Sequence, residues 1–270
     1  MPPDIKTNTN PIYDYVAMAP LALAFERIME CRILSEQTFE RPVLDLGCGE
    51  GLFAKMLFVE QVDTGIDPNQ HELDRARELE AYAEVIQCKG DNIPKPDGSY
   101  NTILSNSVIE HIPDIIPILN EAYRLLKPDG RMYLTVPSDK FEQYTLGSQF
   151  LSFFGMQELQ KKFRRFFNRF WDHYHFYTPE GWQKIISEAG YEVEDVRSYG
   201  PQKVCLMNDF LVPFSILEFF TKKIFNRWTL FPGIRKIILS PATYIGSYIL
   251  RDAELCEAGG LVFLSLRKID

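Results

Sequence analysis

The chain has 270 residues, 46% of them hydrophobic and 24% charged, with 16 glycines and 17 prolines; it can bury a core unaided, which excludes a small disulfide scaffold, a collagen-like repeat and global disorder. A formal net charge of −8 makes the whole molecule repel a polyanion, so sequence-independent nucleic-acid binding is excluded as its main task. Five cysteines, an odd number with no CxxC pair, argue against a disulfide framework and a zinc knuckle and fit a reducing cytoplasm.

The opening Met1-Pro2-Pro3-Asp4 lacks a basic segment followed by an apolar run, so no secretory signal is expected. Residues 18–37 then read as an amphipathic helix, and Pro42 to Leu46 as a short apolar strand ending in glycines. Helix over 52–60, strand over 62–66, helix over 70–81 and strand over Glu84–Cys88 follow, then strand over Tyr100–Leu104, helix over 114–126 and strand over Arg131–Val136. Strands separated by helices of about ten residues imply βαβ units and a doubly wound, mostly parallel sheet, an α/β fold with helices on both faces. After Pro137 the rhythm breaks, and 138–177 reads as an inserted, largely helical segment. Thr178-Pro179-Glu180, an N-cap with proline at the first helical position, starts a helix ending at Gly190. A strand over Tyr191–Val196, an irregular apolar stretch over 201–250 and a final strand over Gly260–Leu266 bring the strands to seven. No charge-free run reaches the roughly 18 residues of a spanning helix, and the uncharged Ile237–Leu250 is both short and broken by Pro241.

The first strand runs into Asp45-Leu46-Gly47-Cys48-Gly49-Glu50-Gly51, where glycines let backbone approach a ligand closely. Ligands of doubly wound sheets bind at the carboxyl ends of the strands, and the helix after the turn is expected to offer free N–H groups to a negative group. A dinucleotide fingerprint, GxGxxG, needs glycine at the position held by Leu52; the pattern here is GxGxG. Asp45 would repel a pyrophosphate and suits a cationic amino group. Asp67, some twenty residues beyond the glycines, lies where an acidic side chain meets ribose hydroxyls, with a helix N-cap as its ordinary alternative.

Taken together, these segments resemble the class I S-adenosylmethionine-dependent methyltransferases, in particular the small-molecule branch. Val43 to Gly51 looks like their first motif and Gly65-Ile66-Asp67 like their second; Gly90 to Pro94 resembles the segment after the third strand, and Ser105 to Ile112 the segment after the fourth. Leu125 to Gly130 resembles their turn into the fifth strand, with Asp129 in place of the usual first glycine. The resemblance implies a Rossmann-like methyltransferase fold with helical insertions forming a cap, and S-adenosylmethionine as methyl donor. It implies that Asp45 and Gly47 hold the methionine end and Asp67 the ribose, that Asp91 with Asn92 reads adenine, that Gly49 and Gly51 also bind the donor, and that Asn106 lines the donor pocket. Asp91 has the alternative of a turn initiator before Pro94. The chain would divide into a donor-binding half (1–137), a basic aromatic insertion (138–177), a return to the core (178–200), an apolar cap insertion (201–250) and a final core strand (251–270).

Methyl transfer from a sulfonium uses an already activated reagent, so positioning supplies much of the rate and a base is needed only when the nucleophile sheds a proton. Histidine is the natural base for an oxygen nucleophile. His111 follows the fourth strand directly and is the first candidate, with a packing role as its alternative. His173 and His175 alternate on an expected extended segment and would point to one side, lining the acceptor site or tethering the insertion. The Glu110-His111 pair raises the question of a metal, but an ExxEH arrangement needs Glu where Ser107 stands, and no metal is predicted.

Residues 1–135 carry 22 acidic and 12 basic side chains, and residues 136–270 carry 15 and 17. The basic excess lies in two aromatic stretches. In the first, Lys161, Lys162, Arg164, Arg165 and Arg169 interleave with Phe163, Phe166, Phe167 and Phe170, which form one apolar stripe at helical spacing. In the second, Lys222, Lys223, Arg227, Arg235 and Lys236 lie among Phe219, Phe220, Phe225, Trp228 and Phe231. Packing on the chain's own core, a lid over the acceptor and a membrane-surface helix are all compatible with this chemistry. The leading expectation is a cytoplasmic methyltransferase acting on a small-molecule or lipid-linked acceptor, more at oxygen than at carbon or nitrogen, with no nucleic-acid partner and with peripheral membrane contact. A non-catalytic binding module of the same fold and a nicotinamide-dependent dehydrogenase stand as alternatives.

Overall fold

Alternating apolar strands and amphipathic helices build a three-layer α/β/α molecule around one seven-stranded sheet; the computed structural model describes residues 4–8, 11–250 and 256–269. Helices α1 (Ile12–Met18) and α2 (Leu21–Ser35) precede β1 (Val43–Leu46), α3 (Leu52–Leu57), β2 (Val62–Asp67), α4 (Gln70–Glu78) and β3 (Tyr82–Gln87). Strand β4 (Tyr100–Asn106), α5 (Ile116–Leu125) and β5 (Leu126–Pro137) complete the parallel part. Helices α6 (Leu146–Phe153) and α7 (Gln157–Phe170) follow, then α8 (Pro179–Glu188), β6 (Tyr191–Tyr199), α9 (Gln202–Leu211), α10 (Ile216–Phe225), α11 (Pro232–Ile249) and β7 (Leu261–Lys268). The strand order is β3-β2-β1-β4-β5-β7-β6, with β7 antiparallel to both of its neighbours.

Period-two alternation decides which helices each strand meets. Val43, Leu104 and Phe263 join the core on the α2, α3 and α4 face, while Leu44, Leu46, Ile103, Val262 and Leu264 join the core on the α5 and α8 face. At roughly 25 cal/mol per Å² of apolar area, each such side chain contributes about 1.5–3 kcal/mol on burial. Burial on both faces is why β1 and β7 read as continuous apolar runs.

Several expected elements come out differently. The helix expected over 18–37 is α2, which starts only at Leu21 because Ala19 and Pro20 adopt extended ψ values of 160° and 140°; the separate helix α1 before it was not expected. The helix expected over 52–60 stops at Leu57, since Phe58 turns extended and bridges to Thr7; with six residues it offers little dipole. Stretch 201–250 is helical, comprising α9 to α11. Although it carries five charged residues and so is not a charge-free run, the 24-residue helical run Gln202–Phe225 is long and apolar enough to cross a membrane by length and composition, with little of it buried. The expected last segment begins at residues 251–255, which lie outside the described residues.

Topology fixes where the two insertions stand. Strand β5 ends at Pro137, paired with Leu261 where β7 begins, and β6 ends at Tyr199, paired with the same Leu261. Both insertions therefore leave from the carboxyl edge of the parallel strands, the edge at which β1 delivers its glycine turn. Helix α11 packs on α1 and reaches α2 through Gly246, where a Cβ would lie 2.2 Å from the Phe25 ring.

Candidate active site

Strand β1 sits at the centre of the sheet between β2 and β4, where strand order reverses, and its carboxyl end is the glycine turn. Gly47, Gly49 and Gly51 have φ of 79°, 51° and 76°, a region that costs other residues energy. A Cβ on Gly47 would lie 2.4 Å from Val108 Cγ1, so this glycine also lets the turn touch the loop after β4. A Cβ on Gly49 would meet nothing within 4 Å, leaving open space over the middle of the turn.

Two carboxylates lie beside the turn, at the ends of β1 and β2. Asp45 is buried, accepts a 2.6 Å hydrogen bond from the Tyr82 hydroxyl, and is pushed up to about 7, chiefly by burial, with Tyr82 opposing and the Asp67 charge adding to the rise. Asp67 is half-buried; its oxygens accept from Gly49 N at 3.1 Å and Asn69 N at 2.8 Å, and burial raises its pKa. The N-cap of α4 is Asn69, which accepts from His71 N, so Asp67 does not serve as the cap. Asp91 and Asn92 follow β3 at the same edge, both exposed. The residues fit a cationic nucleoside donor: a carboxylate for an ammonium, an acid at ribose distance, and a bare backbone cradle.

Asn106 is placed differently from its expected role. Its amide donates to Glu30 at 2.8 Å, and its carbonyl accepts from the Thr135 hydroxyl at 2.9 Å, so the side chain braces the end of β4. Glu30 is the hub of this bracing: its fully buried carboxylate also accepts from Arg27, Ser107 and Tyr199 at 2.7, 3.1 and 3.2 Å. Four donors stabilise the buried charge. They also hold Ser107 at φ 52°, in the left-handed region, where its N–H reaches Thr135.

Beyond Ser107 opens a cavity of about 260 Å³, lined by Arg27, Glu110, His111, Phe141, His173 and Asn208 among others. Burial pushes Glu110 up to about 8 and Glu26, another lining residue, up to about 7. Burial also lowers His111, and lowers His173 to about 4, with the neighbouring His111 adding to the latter shift. The two imidazole rings stand 4.7 Å apart. His111 Nδ1 lies 3.3 Å from the Asp172 carbonyl oxygen, which can only accept; the proton is therefore assigned to Nδ1, and Nε2 keeps its lone pair, 3.9 Å from Glu110 Oε1. Glu110 Oε2, His173 Nδ1 and Asn208 Oδ1 are buried without a hydrogen-bond partner among the described residues. Three orphaned polar atoms in one cavity are suited to the polar head of an acceptor.

His175 does not join them. Its Nε2 is 2.8 Å from the Ile112 carbonyl oxygen, and its ring packs by Trp182 and Tyr177. The expectation that His173 and His175 share a side fails because the segment is no strand: Asp172 at φ 52° closes α7 in a left-handed turn. Glu26, Arg27 and Glu30 escaped the sequence reading, although three charged residues on one face of an otherwise apolar helix were the signal. Among the described residues no group of three His, Cys, Asp or Glu side chains gathers as metal ligands.

The second insertion closes over the glycine turn. Lys222 Nζ bridges Glu50, inside the turn, and Glu72, in the first turn of α4, at 2.8 and 2.9 Å. Trp228 donates its indole N–H to Glu50, and Asn226 donates to the His71 carbonyl at 2.8 Å. Arg227, Arg235 and Lys236 pair with Glu78, Glu218 and Asp14. Of the five basic residues expected to attract an anionic acceptor or membrane from this stretch, four are thus neutralised within the chain.

A doubly wound sheet with a GxGxG turn, an acid ending β2 and a capped cavity at its carboxyl edge defines a Rossmann-like architecture with its ligand cradle at the switch point. Comparisons with known proteins carry this further. A methyltransferase-domain family model matches residues 24–196, and the chain belongs to that family, as a class I S-adenosylmethionine-dependent methyltransferase. An uncharacterised methyltransferase of a Mycobacterium species is 32% identical over 96 residues, covering 35% of this chain and 38% of its own. A ubiquinone biosynthesis O-methyltransferase of Vibrio campbellii is 26% identical over 161 residues, covering 57% and 65%. The chain thus spans less than two thirds of the length of these curated relatives. Among solved structures, a possible histamine N-methyltransferase of Thermotoga maritima superposes with a TM-score of 0.54 at 17% identity over 92% of this chain and 91% of that one. A Haemonchus contortus phosphoethanolamine N-methyltransferase with bound S-adenosylmethionine gives 0.52 at 19% over 91% and 52%. A [4+2]-cyclase gives 0.56 at 16% over 91% and 81%. These structures share the fold alone, and the last of them shows that the fold by itself does not fix a reaction.

Proposed function

We propose that this protein transfers a methyl group from S-adenosylmethionine to an oxygen of a small acceptor with an apolar part, and that it works in the cytoplasm with peripheral membrane contact and without a nucleic-acid partner. In this reading Asp45 binds the donor's ammonium, the backbone of Gly47, Gly49 and Gly51 lies against its methionine end, Asp67 accepts from its ribose hydroxyls, and Asp91 with Asn92 borders its adenine. Asn106 contributes by bracing the pocket wall. Residues 138–177 and 201–250 act as a cap on a donor-binding half (1–137), completed by 178–200 and 251–270. The donor, when bound, supplies an electrophilic methyl on sulfur.

His111 then takes the acceptor's hydroxyl proton on Nε2. Burial keeps this ring neutral at pH 7 and so ready to accept. His173 faces it across the cavity, Glu110 in its protonated form donates a hydrogen bond to the acceptor, and His175 holds the segment in place. The observation that carries the proposal is the cavity: its wall, Ser107 to His111, is the loop that packs against the glycine turn through Val108 and Gly47. The O-methyltransferase names among the relatives support oxygen over nitrogen. The test is incubation with methyl-labelled donor and matched panels of phenols and amines. Label transfer to phenols is the expected result; transfer to amines alone overturns the choice of oxygen, and a folded protein that binds no S-adenosylhomocysteine by calorimetry overturns the whole reading.

A further inference from the structure

The stripe expected on α7 splits in two. Phe163 turns inward against Gly147 and Phe167 against Phe141, whereas Phe166 and Phe170 are each 65% exposed. The same division recurs on the other cap helices. Phe167 and Trp171, with Asn208, Val212 and Phe219, wall the cavity, while Phe210, Phe214, Leu217, Phe220 and Ile224 on the same helical run face outward. On α11, Ile234, Ile237, Ile238 and Ile245 form an exposed stripe opposite the buried Thr243 and Gly246. Of the 29 exposed large hydrophobic side chains among the described residues, 24 lie within 146–170 and 210–248. The two insertions meet at the cavity wall, where the Trp171 and Phe219 rings are 6.5 Å apart.

Charge follows the same boundary. The insertions 138–177 and 201–250 hold 12 basic and 6 acidic side chains, against 17 and 31 in the rest of the chain. Lys162, Arg165 and Arg169, one helical row beside Leu159, Phe166 and Phe170, are exposed, as are Lys203 and Lys223; none of these five has an acidic group within salt-bridge distance among the described residues. Apolar rows flanked by unpaired cations are the pattern of helices that lie in a membrane interface.

We infer that the outer face of α6, α7 and α9 to α11 docks on the surface of an anionic lipid bilayer, with the cavity wall formed by the inner faces of the same helices. The run Gln202–Phe225 lies on the bilayer rather than across it, because Asp209 caps the Leu146 N–H and Lys222 is fastened to Glu50 and Glu72. A second copy of the chain is a poorer occupant: an isologous contact would set two rows of unpaired cations in one dry interface. This deepens the function proposed above by naming the phase from which an acceptor with an apolar part reaches the cavity, and rests on that reading only for the acceptor.

The test is sedimentation of the full chain with vesicles of phosphatidylcholine alone and of phosphatidylcholine with phosphatidylglycerol, at low and high salt. Pelleting with anionic vesicles, weakened by salt, is expected. Each basic residue near such a surface contributes about fivefold in partitioning, so Lys162→Glu/Arg165→Glu/Arg169→Glu should release the protein by well over tenfold. Phe220→Ser/Ile224→Ser should release it with the salt response retained. Both variants should bind S-adenosylhomocysteine in vesicle-free buffer as the parent does, which separates a failure of docking from a failure of the donor site. A parent chain that stays in the supernatant at low salt, or pellets equally with neutral vesicles, overturns the proposal. So does a dimer in sedimentation velocity that Phe220→Ser/Ile224→Ser abolishes without any vesicle binding, which would assign the face to a second copy.

Discussion

Asp67 serves the turn directly and, in the proposed function, the ligand as well. Its carboxylate ties Gly49 N to Asn69 N, and so joins the glycine turn to the start of α4. Hydrogen bonds to charged groups contribute about 1.5–3 kcal/mol, so Asp67→Ala should weaken S-adenosylhomocysteine binding by roughly ten- to a hundredfold in calorimetry; unchanged affinity would remove Asp67 from the ribose. His111→Gln should leave that affinity intact. It should lower turnover by about 10²-fold or more, the usual contribution of a general base, and flatten the rise of rate with pH. An unaltered pH–rate profile would make His111 a packing residue. Asp45, Asp67 and the glycines were legible because carboxylates and alternate glycines at strand ends stand out in the sequence itself, and the proposed donor chemistry asks for those residue types there. Arg27 and Glu30 were not, because a helix read for its apolar face conceals where its few charges meet another strand.

Helices and strands obey the same distinction between local and distant causes. The N-cap Thr178, whose hydroxyl accepts from Gly181 N at 3.1 Å, and the positive φ of Gly190 at the other end of α8 are local, and the sequence announced both. The early stop of α3 depends on a partner far along the chain, Phe58 with Thr7, whereas the break at Ala19–Pro20 is local, since proline drives the residue before it out of the helical region. The helical state of 201–250 was obscured because its apolar residues face outward as well as inward, which blurs the 3.6-residue period. Gly246 is the point at which α11 depends on close approach. Gly246→Ala should push α11 off Phe25 and destabilise the protein by about 1–3 kcal/mol, the usual cost of overpacking, read as a lower melting temperature; an unchanged value would mean that the helix shifts freely on α2.

Across the whole molecule, three buried acids together outweigh the opposing downward shift of His173 in the response to pH. Asp45, Glu26 and Glu110 rise from ordinary carboxyl values of 3.8, 4.5 and 4.5 to about 7, 7 and 8. A group whose folded pKa is raised favours the folded state below its unfolded pKa and loses that contribution as pH rises through the folded value. The ligand-free protein should therefore lose stability between about pH 4 and pH 8, by up to about 1.4 kcal/mol per pH unit for each group while it titrates. Melting curves in urea at pH 5 and pH 8 check this. S-adenosylhomocysteine, whose ammonium favours ionised Asp45, should raise stability more at pH 8 than at pH 5, and the reverse order would contradict the assignment of Asp45.

The strap from Lys222 to Trp228 carries a kinetic consequence. With the donor seated in the glycine turn as proposed, this strap, held shut at both Glu50 and Glu72, would make escape of the demethylated nucleoside wait for two ion pairs and an indole contact to part, so exchange rather than bond-making would set the pace once acceptor is plentiful. Lys222→Ala should then speed stopped-flow release of S-adenosylhomocysteine, and solvents of higher viscosity should slow the parent enzyme more than the variant.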